Sequence, residues 1–237
     1  FLSANRSGAS HVEMLACLLG LNQRFLVCCI HRGIFQPARI WALAIASGYF
    51  GSHNSEPSNS NINLTLKQME NRGRDGSGFE KINCQNKKKL LFLHTRLSII
   101  DPEIRSNQPL MDSEGIIVFN GMIYNFLEIR KKLIKKKIKF RTKSDTEVLL
   151  KFLNYYGIKN LNMLDGMWSF AYYNFSEKIL YLCRDRFGEK PLFFCKHRNN
   201  LIFGSYFDYI LKLYDKKKFK LNFNKVENFI KNSWKST

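Results

Sequence analysis

The sequence predicts an α+β fold with mostly antiparallel sheets, and three observations carry that prediction. Four strand-like runs crowd into residues 168–204, joined by turns too short to hold a crossover helix. Two helical patterns, 125–135 and 145–156, are grouped ahead of these runs rather than alternating with them. Hydrophobic residues make up 45% of the 237 residues, enough for one large domain or two small ones to bury a core.

In chain order, residues 1–42 mix apolar and basic residues without sustained periodicity, and they are expected to lie outside the fold. Residues 43–213 form the expected domain, and 214–237 a Lys- and Asn-rich tail with one helical candidate at 226–231. Within the domain, Gly48 and Gly51 close a buried strand. Residues 53–63 form a Ser- and Asn-rich loop, and 64–70 a helix with Leu66 and Met69 three apart. The run NRGRDGSG at 71–78 holds three glycines and predicts a loop. Residues 90–100 are apolar and β-rich, 102–109 a loop, and 116–119 a short strand before a turn at Asn120-Gly121.

The first long helix places Phe126, Ile129, Leu133 and Ile134 on one face. A strand fragment is expected at 140–142. In the second helix Val148, Leu149, Phe152 and Tyr155 face inward, and Ser144 with Glu147 forms a capping box. Strands follow at 168–174, 179–184, 192–195 and 201–204.

Composition excludes several function classes. The net charge is +19, but the lysine clusters at 87–89, 135–137 and 216–218 sit at turns and helix ends. No RNA-binding aromatic motif, zinc finger or helix-turn-helix accompanies them, so a solvated surface is expected and no nucleic-acid partner. The six cysteines form no C-x-x-C pair and no disulfide spacing, which predicts a reduced, cytoplasmic protein without a metal site. No apolar run reaches the ~20 residues of a membrane helix.

Four constellations could carry chemistry. Arg96, in the apolar strand at His94-Thr95-Arg96, needs an anionic partner, and its planar fork suits a carboxylate. Taken alone, a salt bridge to a local Asp is the favoured reading. Asn120-Gly121 could aim a side-chain amide and a backbone N–H at one oxygen, as an oxyanion hole does, although the pair is more often a simple turn. Asp145 opens a helix, where a carboxylate is favoured as a cap or could face a ligand ammonium. The run Arg184-Asp185-Arg186-Phe187-Gly188 reads as a salt-bridged turn. No Ser-His-Asp set is traceable, and the glycines at 73, 76 and 78 do not follow a strand and open a helix as a phosphate loop would.

The order of these pieces adds what each lacks alone. RLSIID at 96–101, QPL at 108–110, FNGMIYNF at 119–126, SDTEVLL at 144–150, LDGMWSFA at 164–171 and RDRFGEKPLFF at 184–194 run collinearly. Together they resemble the N-terminal glutaminase domain of glutamine-hydrolysing asparagine synthetases, over about two-thirds of the chain. The resemblance implies a four-layer αββα sandwich of the N-terminal-nucleophile hydrolase type. It implies an N-terminal cysteine that attacks the glutamine amide, with its own α-amine as base. Arg96 would hold the α-carboxylate, Ile99 and Ile100 would line the pocket, Asn120 and Gly121 would form the oxyanion hole, and Asp145 would receive the α-ammonium. Ammonia would pass to a synthetase domain that uses ATP and Mg to amidate aspartate. That domain is expected to be missing here, with 214–237 a truncated linker toward it and no cofactor in the chain itself. Glutamine and that domain are the expected partners, and a homodimer is compatible with the reading.

Departures from the family pattern are specific. Ala44 stands at the nucleophile position inside Leu43-Ala44-Ile45-Ala46-Ser47-Gly48, and Met122 replaces the acid of Asn-Gly-Glu. Asn71-Arg72-Gly73-Arg74-Asp75 stands for His-Arg-Gly-Pro-Asp, and Ser205-Tyr206 for Ser-Glu. The alternative expectation is therefore an inactive relative that binds glutamine without hydrolysing it.

Overall fold

The computed structural model describes residues 25–29 and 44–214. Its strands and helices in chain order are β1 (Phe25–Cys29), β2 (Ala44–Ser52), α1 (Asn59–Met69), β3 (Gly76–Cys84), β4 (Lys88–Arg96), β5 (Leu110–Met111) and β6 (Gly115–Ile123). There follow α2 (Phe126–Lys135), α3 (Asp145–Tyr156), β7 (Gly166–Asn174), β8 (Ile179–Arg184), β9 (Phe193–His197), β10 (Asn200–Gly204) and α4 (Phe207–Leu213). One sheet has the order β1-β8-β7-β6-β5 and the other β3-β4-β2-β10-β9. Every pair is antiparallel except β1 with β8.

Three apolar clusters stack these elements into four layers. Phe50, Phe92 and Phe203 of one sheet meet Ile116, Val118 and Leu182 of the other in the central cluster. On the outer face of the first sheet, Phe119 and Phe170 pack against Ile129, Leu133, Val148 and Phe152 of α2 and α3. On the outer face of the second, Leu91, Leu93 and Ile202 pack against Ile62 and Met69 of α1 and Ile210 of α4. The result is the αββα sandwich. A strand in it has both faces covered, so it reads as an unbroken apolar run, as in Leu90-Leu91-Phe92-Leu93.

Several local expectations change. Asn120-Gly121 is not a turn, because β6 continues through it to Ile123 and pairs with β7 along its length. Gly121 (φ +155) is needed for close approach, since a Cβ there would lie 2.2 Å from the Met167 carbonyl oxygen. The glycines at 76 and 78 lie in β3, a polar edge strand, rather than in a loop. The strand fragment expected at 140–142 is absent. The amide N–H groups of Arg141 and Thr142 instead bond the buried Glu147 carboxylate, and Arg130 lies 4.2 Å over the Phe140 ring. Only half of the capping box forms: Ser144 Oγ accepts from Glu147 N, while the Glu147 carboxylate turns to those earlier amides. Ile134 and Tyr155 are exposed, not inward.

Of residues 1–42, read from sequence as outside the fold, Phe25–Cys29 pairs in parallel with β8. Residues 1–24, 30–43 and 215–237, with the helical candidate at 226–231, lie outside the described residues. Among the described residues no helix is long and apolar enough to cross a membrane.

Candidate functional site

The site forms where β5 stops pairing with β6. Leu110 and Met111 pair with Ile117 and Ile116. Continuing that antiparallel register would set Gln108 against Phe119 and Ser106 against Gly121. The chain departs at Pro109 instead, and residues Ile104–Ser106 form a 3-10 turn. Alternate residues of a strand present their N–H and C=O to the same edge. The edge at Phe119 is closed by the Gln108 side chain: its Oε1 accepts from Phe119 N at 2.6 Å and its Nε2 donates to Phe119 O at 3.3 Å. Asp145 Oδ2 accepts from Ile123 N at 3.2 Å. Gly121 stands between these two side-chain contacts, and a pocket opens there.

Arg96, Ile99, Ile100, Gly121 and Asp145 all line this pocket, so five of the sequence candidates converge. Met122 lines it too, as a half-buried thioether, together with Leu97, Gln108 and Phe119.

Arg96 ends β4 with only 6% of its surface exposed. Among the described residues no salt bridge holds it. Nη1 donates to Glu103 O and Asn107 Oδ1, both at 3.2 Å, and Nη2 donates to Ile100 O at 2.7 Å and to Asp101 O. Its terminal nitrogens thus organise the loop 97–107. Burial lowers its pKa, opposed by the charges of Asp101, Asp145 and Asp75.

Asp145 is the first residue of α3 and is buried. Burial pushes its carboxyl up to about 6, against the pull of the N–H groups of Ile123 and Thr146 and, more weakly, of Arg96. The helix terminus and these amides therefore do not fully replace lost water. A ligand ammonium would supply what is lacking.

Asn120 points the other way from Gly121, as strand alternation requires, into the space between the sheets. It is fully buried, and its Nδ2 donates to Ser205 Oγ at 3.3 Å. Ser205 Oγ also accepts from Ala46 N at 3.3 Å. Among the described residues Asn120 Oδ1 has no hydrogen-bond partner, an uncommon state for a buried amide. Ala44 pairs with Arg96 across β2 and β4. The register therefore puts Ala44, aligned with the nucleophile position by the sequence resemblance, at the end of the sandwich that holds Arg96.

Gln108 is a site residue that the sequence reading quoted only as part of a motif. His94 is another: it is buried between the sheets and its Nε2 bonds Phe119 O at 3.1 Å. Burial drops its pKa to about 3, so the ring is neutral and donates Nε2–H to that carbonyl. Arg72 lies 4.5 Å over the ring of Tyr206, one of the departures from the family pattern. In the 184–191 turn, Arg184 and Asp185 are engaged by main-chain groups. Arg184 donates to Lys190 O and Gly188 O, while Asp185 collects backbone N–H groups. No cluster of three or more His, Cys, Asp or Glu among the described residues could hold a metal.

The glutamine amidotransferase domain family, as a sequence model, matches residues 45–237. The chain belongs to that family. As an amidotransferase domain it is 36% identical over 166 residues to asparagine synthetase [glutamine-hydrolyzing] 1 of Bacillus subtilis, covering 67% of this chain and 25% of that protein. It is 37% identical over 129 residues to asparagine synthetase [glutamine-hydrolyzing] 1 of Arabidopsis thaliana, covering 54% of this chain and 21% of that one. The chain thus spans about a quarter of the length of such relatives. Among solved structures, the glutamine phosphoribosylpyrophosphate amidotransferase of Bacillus subtilis superposes with a TM-score of 0.57 at 20% identity, over 72% of this chain and 44% of that chain. That likeness concerns the amidotransferase fold alone.

Proposed function

We propose that the pocket beside Gly121 binds glutamine, and that the domain is the glutaminase part of an asparagine synthetase-like enzyme. Arg96 takes the α-carboxylate and Asp145 the α-ammonium, while the side-chain amide reaches past Gly121 toward the space between the sheets, where Asn120 with the Gly121 N–H serves it as an oxyanion hole. The ammonia produced by an active member would pass to a synthetase domain that uses ATP and Mg to amidate aspartate. The reading places the protein in the cytoplasm. The observation that supports it best is the meeting of a cation, Arg96, and an under-compensated buried carboxylate, Asp145, in one pocket. An α-amino acid carries the matching pair of charges.

Ala44 favours a second reading for this chain: glutamine is bound but not hydrolysed. A methyl group cannot attack an amide carbon, and an internal residue has no free α-amine to act as base. Calorimetric titration should show L-glutamine binding, and a glutaminase assay should show no glutamate above background. Glutamate release by the unmodified chain would sink the second reading, and lack of any glutamine binding would sink both. Ala44→Cys, with the preceding residues removed, should restore little activity until Met122→Glu is added. Full turnover from the cysteine change alone would show that Met122 is tolerated.

A further inference from the structure

We infer that Gln108 is a positioning residue of this pocket, holding the β6 edge at Gly121 and the α3 terminus at Asp145 in fixed relation. The inference rests on the pocket being an amino-acid site. It begins from register. Gln108 is the residue whose backbone would face Phe119 if β5 continued, but Pro109 follows it and the main chain turns toward β3. A Cβ placed on Gly78 of β3 would sit 2.7 Å from the Gln108 carbonyl oxygen, so the Gln108 main chain packs tightly there. The side chain reaches back and takes both positions that a peptide would have filled, accepting from Phe119 N and donating to Phe119 O.

The same amide nitrogen also donates to Thr146 Oγ1 at 3.2 Å. Phe119 is two residues from Gly121, and Thr146 is adjacent to Asp145. One buried side chain, 5% exposed, therefore ties the strand that offers Gly121 to the helix that offers the carboxylate.

The chemistry of the residue explains the choice. A primary amide reproduces the donor and acceptor of a peptide unit, so it can replace a strand at one position without extending the strand. A further stretch of strand would have covered Gly121. Glu in its place keeps the acceptor and loses the donor. Met keeps the length and loses both.

The test uses the full chain with Gln108→Met and Gln108→Glu. Affinities for L-glutamine and L-β-homoglutamine are measured by calorimetry. Amide hydrogen exchange is read by NMR at Gly121 and Ile123, with α1 and α4 as internal reference. The β-amino acid has the same groups with the ammonium one methylene further from the carboxylate. A residue that sets the spacing of the site should govern the preference between the two ligands, whereas a merely structural one would weaken both alike.

The expected result for Gln108→Met is a fall of about tenfold in that preference, the scale of losing one to two hydrogen bonds. Exchange at Gly121 and Ile123 should speed up while α1 and α4 keep wild-type rates. Gln108→Glu should fall between Met and wild type, and it carries the test if the Met variant does not fold. An unchanged preference, or equal loss for both ligands, overturns the inference. If the wild-type chain binds neither ligand, the amino-acid reading fails, and unchanged exchange at Gly121 and Ile123 in the variants then overturns the positioning role by itself.

Discussion

At the 184–191 turn, the Asp185 carboxylate accepts from the backbone N–H groups of Trp168, Phe187, Glu189 and Lys190, at 2.9–3.2 Å. At the pocket, Asp145 is buried to a similar degree and meets the N–H groups of Ile123, Thr146 and its own backbone, one fewer than Asp185. Each carboxylate has an arginine nearby, Arg184 in one case and Arg96 in the other, and both guanidiniums are engaged with loop carbonyl oxygens. The difference lies in how completely the acid is met. Four amides make Asp185 a knot that shapes a turn. Asp145, with its pKa raised by burial, is left for something else to complete. Residue type and burial do not separate these two aspartates; what marks Asp145 is that its carboxyl stays raised and lines a pocket.

That contrast predicts opposite signs. Asp185→Ala should give the largest effect, a loss of about 3–5 kcal/mol in urea denaturation, because four amides, two of them in buried contacts, lose their acceptor. A loss below about 1 kcal/mol would erase the distinction between the two sites. Gly121→Ala should cost about 3 kcal/mol, as a side chain meets the Met167 carbonyl at positive φ. A variant of wild-type stability would show that β6 and β7 can separate at this point.

Asp145→Asn should instead stabilise the fold by about 2 kcal/mol at pH 8. The folded pKa of about 6 exceeds the usual aspartate value of 3.8, so the folded state holds a proton more readily than the unfolded one. Its contribution is fully present below pH 3.8 and is lost as pH rises through about 6. The same variant should abolish glutamine binding, and wild-type affinity should weaken as pH falls below about 6, where the carboxylate is lost. Destabilisation by Asp145→Asn at pH 8 would place Asp145 with Asp185.

His94 gives a slope of the reversed sign. Its folded pKa of about 3 lies below the usual 6.5, so its contribution is present above pH 6.5 and is lost as pH falls toward 3. Replacing it with Gln should flatten the acid limb of the stability profile by about 1 kcal/mol near pH 5.5. An unchanged acid limb would assign acid sensitivity to other groups.

The sequence was most readable where one signal dominated. α3 starts at the cap residue expected, because Ser144 accepts from Glu147 N. The two-sided burial of β4 appears as a continuous apolar run. β3 escaped because a polar edge strand with glycines resembles a loop. The course of β6 escaped because Asn-Gly normally turns a chain, whereas here the glycine admits the neighbouring strand.

Within the site, Arg96, Gly121 and Asp145 could be named from motifs, and the structure brings them into one pocket. The partners of Arg96 could not be foreseen, since main-chain oxygens leave no trace in residue identity. Gln108 was hidden for the same reason, as its contacts are to the backbone of Phe119. Asn120 lies on the opposite face of β6 from the pocket wall, a placement that depends on reading a strand where the motif suggested a turn.

The loop oxygens on Arg96 bear on timing. A carboxylate arriving at the guanidinium finds Ile100, Asp101, Glu103 and Asn107 already bound to its terminal nitrogens. Entry is then an exchange of partners, and its speed is set by how often the 97–107 segment lets go. In rapid-mixing experiments the observed rate should level off at high ligand concentration instead of rising in proportion to it.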